Sequence, residues 1–442
     1  MTSAFSGRQS DGSGLLCVEV TDLASVSRSK VIPMSRLRDA AENGVAAPVF
    51  AFFGVDDHVA GVGDLQPALL ESRLVPDTAA VVPLWGSPGI AWAPADQCGA
   101  DLAPLDTCPR SFLKSQLQRA RQLGITFVMA FELEFTLFSA EGELAHNGPG
   151  YGTAVVFELE EFIADLFRAL AEQGLRAEQF HAEYSPGQCE VTVEPRTALE
   201  SADAYLLLRL TIRRVARAHR LRVSFAPIPA EDGLANGAHL HWSAWRDGVN
   251  VLAPAPGTGE LGRPGGCLAA GMLRHLPEVL AVLAPSVLSY RRLQPSHWAS
   301  AFACWGVGNR EAALRVIRGS ETGRGVSTNV EVKPIDGAAN PYLAAGALIG
   351  SAVAGLEGNL ALPPSVQTDP ALMSETARKA ADITRLPSSL DEAIQAMESS
   401  DFARGLLGNV LYDYFLAIRK EECSRLASLP AKRLIPLYRY RY

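Results

Sequence analysis

The sequence predicts an α+β protein with a small β-rich N-terminal unit and a larger unit in which strands and helices alternate. Three observations support this class. The chain has 442 residues, 48% of them hydrophobic, so it can bury a large core shared between two or three domains. Residues 15–105 hold short apolar runs separated by Gly, Pro and Asp clusters. Residues 106–442 mix apolar runs with patterns of helical period.

The N-terminal unit holds three strand candidates. Leu15–Leu23, Val49–Gly54 and Ala79–Leu84 are largely apolar, and turn-forming residues separate them. A pattern of helical spacing follows over Ser111–Leu123 and ends at a glycine, the residue type that most often caps the carboxyl end of a helix. We therefore place the domain boundary just before this helix, at residue 105.

Predicted strands and predicted helices alternate along the larger unit. Ile125–Phe138 and the segment around Val191–Val193 have strand patterns. Six segments have apolar residues at helical spacing and are predicted helices: Glu158–Gln173, Ala202–Leu221, Leu268–Leu283, Pro341–Leu356, Leu390–Glu398 and Leu407–Leu426.

The composition argues against several classes of protein. The formal net charge is −8 and no basic run occurs, so we expect no nucleic-acid partner. No apolar run approaches the roughly 20 residues that cross a bilayer, so we expect no membrane partner. The seven cysteines are scattered, which is typical of the reducing cytoplasm. Residues 1–14 are small and polar, unlike a signal peptide, and are predicted to be a flexible tail.

Strand-like stretches of the sequence carry ionisable side chains at two- or four-residue spacing, which places them on the same face of a strand. They contain Glu132 and Glu134, Glu190 and Glu194, His239 and His241, and Glu331 and Lys333. Residues i and i+2 of a strand lie on one face, about 7 Å apart. Carboxylates and imidazoles collected on one face would be strongly unfavourable without cations. The simplest interpretation is a multinuclear metal site lined by a sheet, and therefore an enzyme.

A predicted turn separates a further pair of glutamates. Glu183 and Glu190 lie on either side of Pro186-Gly187, which can bring both carboxylates toward one point. Several carboxylates fit Mg²⁺ or Mn²⁺ better than zinc. Each pair taken alone could equally lie on a solvated strand or hairpin. His181 is nearby, but a lone histidine is more often a structural hydrogen-bonding residue than a ligand.

Two later stretches supply fixed positive charge. They are Ser289–Leu293 and Asn309–Arg315. The planar guanidinium group of arginine binds two oxygens of a carboxylate or phosphate at once. A surface salt bridge is the commoner role of any single arginine, so these stretches matter through their combination with the acidic ones.

Taken in order, these stretches resemble the catalytic domain of the glutamine synthetase family. The matching blocks are Glu132-x-Glu134, Glu183 to Glu190 around Pro-Gly-Gln, Gly237-x-His239-x-His241, Ser289-Tyr290-Arg291-Arg292, Asn309-Arg310, Glu331-x-Lys333 and Asp336-Gly337-Ala338-Ala339-Asn340-Pro341-Tyr342-Leu343. Several blocks in one order are a more specific signal than any single block. The resemblance implies a small β-grasp domain over residues 15–105. It also implies a catalytic domain over residues 106–442, with a curved antiparallel sheet flanked by helices.

The resemblance implies a role for each matched residue. Six residues would hold two metal ions: Glu134, Glu183 and Glu190 the ion near the amino acid, and Glu132, His239 and Glu331 the ion near the nucleotide phosphates. Five residues would contact ATP: Glu178, His241, Ser243, Arg310 and Arg315. Four residues would bind substrate: Gly237 and Arg292, and also Trp298 and Lys333, which lie at aligned positions but differ from the family's usual residues. Four would act in catalysis: Arg292, Arg310, Arg315 and Lys333.

The implied cofactors are ATP and two or three Mg²⁺ or Mn²⁺ ions per site. ATP would phosphorylate the side-chain carboxylate of L-glutamate, and a nitrogen nucleophile would attack the acyl phosphate. Metals and arginines would neutralise the charge that develops during phosphoryl transfer. The resemblance also implies a homo-oligomer of stacked rings, a dodecamer.

The sequence departs from the family at the acceptor end. Trp298 stands at the position aligned with a glutamate that helps ammonia-using members deprotonate ammonium, and Lys333 and Asn329 stand where arginines are usual. An indole face attracts cations, so an organic amine suits this site better than ammonium. We therefore predict a ligase that joins the γ-carboxylate of L-glutamate to a polyamine, ethanolamine or another monoamine, similar to the γ-glutamylpolyamine synthetase branch.

Three alternatives remain at this stage. The first is an ordinary ammonia-dependent glutamine synthetase. The second is a catalytically impaired relative, which Lys333 and Asn329 keep open. The third is a dinuclear metal phosphatase or peptidase, which would hydrolyse its substrate without ATP and would not need Arg292, Arg310 and Arg315 together.

Overall fold

The computed structural model describes residues 14–62, 70–231, 235–254, 261–319 and 323–442. The predicted flexible tail, residues 1–14, lies outside the described residues except for Gly14. A small N-terminal sheet precedes a larger sheet and a set of helices, so the predicted α+β class is confirmed.

The N-terminal sheet has a mixed arrangement. Its strands in the described residues are β1 (Leu15–Thr21), β2 (Ser27–Pro33), β3 (Val45–Pro48), β4 (Glu71–Pro76), β5 (Val82–Pro83) and β6 (Ile90–Cys98). They lie in the order β2-β1-β6-β4-β3, with β5 paired to β6. Strands β1 and β6 run parallel in the middle, and the other pairs are antiparallel. Helix α1 (Leu37–Asn43) connects β2 to β3. This arrangement agrees with the small β-grasp domain that the resemblance implies.

One predicted strand of this domain is wrong. Within Val49–Gly54, Phe50–Phe52 forms a short 3-10 helix instead. The ring of Phe52 is fully buried, and its centroid lies 5.0 Å from that of Tyr414 in a C-terminal helix. The segment is apolar because it packs between elements, not because it pairs in a sheet. Of the predicted strand Ala79–Leu84, only the two residues of β5 pair.

The larger sheet is almost entirely antiparallel. Its strands are β7 (Thr126–Ser139), β8 (Ala177–Ala182), β9 (Gln188–Val193), β10 (Arg196–Thr197), β11 (Leu221–Ser224), β12 (Ala238–Arg246), β13 (Val249–Asn250), β15 (Trp305–Val307), β16 (Leu314–Ile317) and β17 (Asn329–Val332), while β14 (Phe302–Ala303) and β18 (Thr384–Arg385) form a separate pair. The main order is β15-β16-β17-β12-β7-β9-β8. Among the described strands of this sheet, the one parallel pair is β15 and β16.

Helices surround this sheet. Their bounds are α2 (Pro109–Gln122), α3 (Thr153–Glu158), α4 (Glu160–Glu172), α5 (Ala198–Ala218), α6 (Arg263–Leu283), α7 (Ser289–Arg292), α8 (Arg324–Ser327), α9 (Pro341–Glu357), α10 (Glu375–Ala380), α11 (Leu390–Glu398), α12 (Asp401–Leu407), α13 (Asn409–Leu426) and α14 (Ala431–Tyr438). Helix α5 packs against β7, and α9 packs against α2, α5 and α6. The six predicted helices of the larger unit correspond to α4, α5, α6, α9, α11 and α13; the bounds of α11 agree with the prediction, and the other five have shifted ends.

Helices α6 and α9 approach each other closely through glycine. A β-carbon on Gly271 would lie 2.6 Å from the Cα atom of Gly355, so a larger residue does not fit there. In the described part of the chain, α6 is the one helix whose length and composition would let it cross a membrane. Of its apolar window, 72% is buried inside the fold, so α6 packs as a core helix.

Strand β7 separates the hydrophobic core from the other face of the sheet. Phe131, Leu133 and Phe135 are at most 3% exposed and belong to the core. Glu132 and Glu134 alternate with them and therefore point to the opposite face. Because β7 lies between β12 and β9, its two carboxylates face side chains from both neighbouring strands. The predicted strand over Ile125–Phe138 is confirmed.

Candidate active site

An open cleft of about 540 Å³ lies on this second face of the large sheet. The strand register decides which side chains meet there. His239 is paired with Glu132, Glu190 with Glu134, and Glu331 with His241. Strands β7, β9, β12 and β17 thus bring ionisable side chains to one face, as the two-residue spacing predicts. Glu194 is different: it forms ion pairs with Arg196 and Arg176, and it is outside the described cleft lining.

The first group of ligands forms around an imidazole. Nδ1 of His239 lies 2.9 Å from Oε1 of Glu132 and 3.4 Å from Oε1 of Glu331. The structure therefore brings together the three residues predicted to hold the ion near the nucleotide phosphates. Nε2 of His241 lies 3.2 Å from Oε2 of Glu132, so this second imidazole belongs to the same group. Its predicted contact with ATP stays a prediction.

The second group includes a histidine that sequence reasoning set aside. Nε2 of His181 lies 2.7 Å from Oε1 of Glu183 and 3.6 Å from Oε1 of Glu190. These three side chains could hold a cation between them. The available signal was the position of His181 two residues before Glu183, the same spacing that drew attention to the other ligand pairs.

Glu134 lies between the two groups. Its Oε2 accepts hydrogen bonds from Nε2 of Gln188, at 2.9 Å, and from the backbone N–H of Gly237, at 2.8 Å. Its Oε1 lies 3.8 Å from Nε2 of His239. Glu134 thus clusters with His239 and Glu132, although it was predicted to share an ion with the glutamates of the second group. How the ligands divide between two ions stays a prediction.

The electrostatics of this cluster fit a bound divalent cation. Burial, and then the charge of neighbouring glutamates, raises the pKa of Glu190 far above its usual value. Burial would also raise the pKa of Glu132, but hydrogen bonds with two histidines outweigh it and hold that pKa well below its usual range. A crowded set of carboxylates with imidazoles matches the oxygen preference of Mg²⁺ and Mn²⁺. The residues present therefore fit the metals that the sequence predicts.

Arg292 lines the same cleft and has an unsatisfied donor. Its Nη2 donates to Nε2 of His239, at 2.9 Å, and to the backbone carbonyl of Lys333, at 3.0 Å. Its Nη1 is buried and has no hydrogen-bond partner among the described residues. A buried N–H without a partner is unfavourable, and a carboxylate would satisfy it. Glycine at position 237 permits the close approach of these side chains, because a β-carbon there would lie 2.8 Å from Nη2 of Arg292 and 2.5 Å from Nε2 of His239.

Further positive charge surrounds Glu331. Nη1 of Arg315 and Nζ of Lys333 each lie 3.0 Å from its carboxylate oxygens. Burial would raise the pKa of Glu331, but Lys333 and the two nearby histidines outweigh it, so the pKa is lowered. Nε of Arg315 is buried and lacks a partner in the described part of the chain. Arg310 is exposed and lines the cleft. Cationic donors are thus available for an anionic substrate.

Two residues predicted to contact ATP lie outside the described cleft lining. Glu178 is exposed at an irregularity of β8 between Ala177 and Gln179, and Gln179 lines the cleft instead. The hydroxyl of Ser243 accepts a hydrogen bond from Nε1 of Trp245 at 2.9 Å. The roles of Glu178 and Ser243 stay predictions.

One side of the cleft is aromatic. The ring centroids of Trp298 and Tyr184 lie 5.0 Å apart in an edge-to-face arrangement. Tyr151 lies 5.7 Å from Tyr184 and stacks on His181 at 4.4 Å. About half of each side chain is exposed: 47% for Trp298, 50% for Tyr184 and 54% for Tyr151. Sequence reasoning identified Trp298 alone, because the proximity of the two tyrosines depends on how loops fold.

Comparisons with known proteins agree with this architecture. Residues 106–435 match the family described as glutamine synthetase, catalytic domain. The chain is 40% identical over 428 residues to gamma-glutamylpolyamine synthetase GlnA3 of Streptomyces coelicolor, covering 95% of this chain and 92% of that protein. It is 29% identical over 414 residues to glutamine synthetase of Thermus thermophilus, covering 92% of this chain and 91% of that protein.

Solved structures show the same similarity. A crystal structure of a novel glutamine synthase homolog has a TM-score of 0.85 and 30% identity, covering 96% of this chain and 99% of that chain. A GmaS/ADP complex has a TM-score of 0.83 and 25% identity, covering 96% of each chain.

The fold and the cleft define an enzyme with an acidic, imidazole-containing site beside cationic donors. The chain belongs to the glutamine synthetase family. The predicted family, the fold class and the prediction that the protein is an enzyme of this family are confirmed.

Proposed function

We propose that this protein is an ATP-dependent ligase that joins the γ-carboxylate of L-glutamate to an organic amine. The observation that carries the proposal is one cleft with three unlike parts. These are a buried arginine with an unsatisfied donor, two carboxylate–imidazole groups suited to metals, and an aromatic residue where a flap glutamate would serve ammonium.

Arg292 would bind the glutamate substrate. The unpartnered Nη1 would donate to a substrate carboxylate, and burial of the guanidinium strengthens this charge-assisted hydrogen bond. A carboxylate oxygen would then attack the γ-phosphorus of ATP, and the bond from that phosphorus to the bridging oxygen of ADP would break. Arg310 and Arg315, which line the cleft, would stabilise the negative charge on the transferred phosphoryl group.

Two or three Mg²⁺ or Mn²⁺ ions would be held by the two groups of ligands. The predicted set is Glu132, Glu134, Glu183, Glu190, His239 and Glu331, to which the geometry adds His181. When bound, such ions neutralise phosphate oxygens and so favour phosphoryl transfer. Lys333 would keep Glu331 ionised and would add positive charge at the phosphate end.

The amine would react second. Its nitrogen would attack the acyl carbon of γ-glutamyl phosphate, phosphate would leave with the electrons of the broken carbon–oxygen bond, and the amine would lose a proton. The carboxylate-rich side of the cleft favours binding the incoming amine as a cation and accepting that proton. Trp298 adds a π face for the cation.

Among organic amines, we favour a polyamine over ethanolamine or another monoamine. A relative named gamma-glutamylpolyamine synthetase is 40% identical, whereas glutamine synthetases of Thermus thermophilus and Pyrococcus abyssi are 29% and 30% identical. The similarity to those glutamine synthetases makes an ammonia-dependent glutamine synthetase the second candidate function. A catalytically impaired relative is the third. A stacked-ring dodecamer and a cytoplasmic location stay predictions, and sedimentation velocity would test the former.

Product formation with a panel of nitrogen donors tests the proposal. The purified protein is incubated with ATP, L-glutamate and Mg²⁺ or Mn²⁺, together with ammonium, ethanolamine, methylamine, a diamine or a polyamine. We expect phosphate release and a γ-glutamyl amide, detected by mass spectrometry, with an organic amine at concentrations where ammonium is poorly used. Faster turnover of ammonium would favour a glutamine synthetase. Tight Mn²⁺ and ATP binding without any amide product would favour the impaired relative.

A further inference from the structure

We infer that Tyr184 and Trp298 form a fixed wall that selects the carbon chain of the acceptor amine, and that Glu311 positions this wall. The inference rests on the proposed function, and it names the chemical class of the amine that would react second. That class is an aliphatic amine whose methylene chain lies against aromatic rings.

The wall begins beside the carboxylates that would receive the amine nitrogen. Tyr184 directly follows Glu183, whose carboxylate contacts His181, and Trp298 faces Tyr184 from the opposite loop. The two rings contact each other edge to face and remain half exposed in the same cleft. Aromatic surface next to carboxylates suits a molecule with a cationic nitrogen and an apolar chain. Ammonium has no chain and gains nothing from such a wall.

The loop that carries Trp298 has an unusual backbone. Ser296, Trp298 and Ser300 have φ angles of 59°, 55° and 66°, in the left-handed region that residues other than glycine rarely adopt. Three such residues within five positions persist only when surrounding contacts hold them. Residues 296–300 therefore require specific anchors.

Each of these three residues has a hydrogen bond that supplies an anchor. The backbone N–H of Trp298 donates to Oε1 of Glu311 at 2.7 Å. The hydroxyl of Ser300 donates to the backbone carbonyl of Ala312 at 2.9 Å, and that of Ser296 donates to Oδ2 of Asp369 at 2.7 Å. The backbone that carries the indole is thus held in place before any substrate arrives, and the ring itself contacts Tyr184. A preorganised wall discriminates between substrates better than a mobile one, because no ordering is needed on binding.

Glu311 is a positioning residue in this arrangement. Its side chain is 7% exposed, and it lies next to Arg310, whose side chain lines the cleft. The carboxylate holds the backbone of Trp298, and the indole contacts the substrate. Glutamine at position 311 would keep an oxygen acceptor for the same N–H, whereas alanine would not. Glutamine therefore preserves a hydrogen-bonding role of Glu311, whereas neither variant preserves a purely electrostatic role.

Chain-length kinetics test the wall. Wild type, Tyr184→Ala, Trp298→Ala and Trp298→Phe are compared with linear monoamines and diamines of increasing length, with separate titrations of ATP and glutamate. For wild type, we expect the KM for amine to fall about three- to fourfold for each methylene that reaches the rings. In the alanine variants we expect this dependence to flatten and the KM for long amines to rise about tenfold, with KM for ATP and glutamate unchanged. Trp298→Phe is expected to lose less.

The controls separate the possible failures. Phe157→Ala removes an aromatic side chain that is 66% exposed and outside the described cleft lining, and is expected to match wild type. If wild type makes no amide with any amine, the proposed function fails and this inference fails with it. If wild type uses amines but the alanine variants keep its chain-length dependence, only the inference fails. A selective rise in the KM for ATP would assign the wall to the nucleotide and would also overturn it.

Two substitutions test the positioning role. Glu311→Ala is expected to raise the KM for long amines about as much as Trp298→Ala does, and to increase acrylamide quenching of the fluorescence of Trp298. Subtracting the quenching of Trp298→Phe isolates the signal of this residue. Glu311→Gln is expected to restore both properties to within about threefold of wild type, because it keeps the acceptor. Equal defects in the glutamine and alanine variants, or no defect in either, would overturn the role of Glu311.

Discussion

The floor and the mouth of the cleft are built in different ways. On the floor, Glu132, Glu134 and His239 project from neighbouring strands, and the register of the sheet decides which atoms meet. At the mouth, Tyr184 and Trp298 lie on loops, and hydrogen bonds to other loops fix the backbone. The difference teaches that the groups proposed to activate glutamate lie on the sheet, while the groups proposed to distinguish acceptors lie on loops, where a substitution leaves the sheet intact.

The largest expected effect comes from breaking the floor. Glu132→Ala removes a carboxylate that contacts both His239 and His241, so we expect activity to fall by about a hundredfold or more and Mn²⁺ affinity to fall with it. Glu194→Ala is the matched control, since it removes a glutamate from the same sequence series that pairs with Arg196 and is outside the described cleft lining. Calorimetric Mn²⁺ titration and phosphate release measure both. Equal losses in the two variants would contradict the assignment of the floor.

The next effect concerns the anionic substrate. Arg292→Lys keeps the charge but loses the planar arrangement of donors, so we expect the KM for glutamate to rise about 10- to 100-fold. The KM for ATP should change little. Arg274→Lys, at an exposed arginine of α6 outside the described cleft lining, is the control. A larger change in the KM for ATP than for glutamate would move Arg292 to the nucleotide side.

Helix packing supports the floor from within the fold, and its disruption should lower stability. A β-carbon at Gly271 would lie 2.2 Å from the backbone oxygen of Ser351, so Gly271→Ala should destabilise the protein by about 1–3 kcal/mol. Gly266→Ala, in the same helix, is the control because its β-carbon would meet nothing within 4 Å. That substitution should be neutral or stabilising, since alanine favours helices. Thermal unfolding measures both, and equal midpoints would contradict the close approach.

The smallest effect belongs to the mouth. Burial raises the pKa of Glu311 above its usual value of 4.5, so the folded state favours the protonated form of this carboxyl. The stabilising contribution of this group is therefore present below pH 4.5 and is lost as pH rises through the raised pKa. Glu311→Gln cannot ionise and therefore does not lose stability in this way. The thermal midpoint of the variant minus that of wild type should increase between pH 4.5 and pH 8. A constant difference across that range would contradict the prediction.

The floor could be predicted from the sequence because strand geometry is regular. Alternation in β7 and the spacing of His239 and His241 were enough to place these side chains on one face. The mouth could not be predicted in the same way. Tyr184 and Glu311 contact Trp298 through loops that no periodic sequence pattern describes. Only Trp298 was identified, because it stands where ammonia-using members of the family have a glutamate.

The N-terminal domain shows a second limit. Strand β2 is mostly exposed and begins with Ser-Arg-Ser-Lys, so its apolar signal is confined to Val31 and Ile32. Strand β6 is buried along most of its length, but after Ile90 it contains alanine, proline and aspartate and no further β-branched residue. Both form because they pair with β1, a long-range contact that local propensity does not reveal.

The anchors of residues 296–300 use Glu311, Ala312 and Asp369, and none of these belongs to a strand of the large sheet. A few loop substitutions can therefore reshape the entrance while the strands, and the activation of glutamate that they would support, are inherited unchanged. In evolutionary terms, such an enzyme can acquire a new nitrogen donor without rebuilding the half of the reaction that consumes ATP.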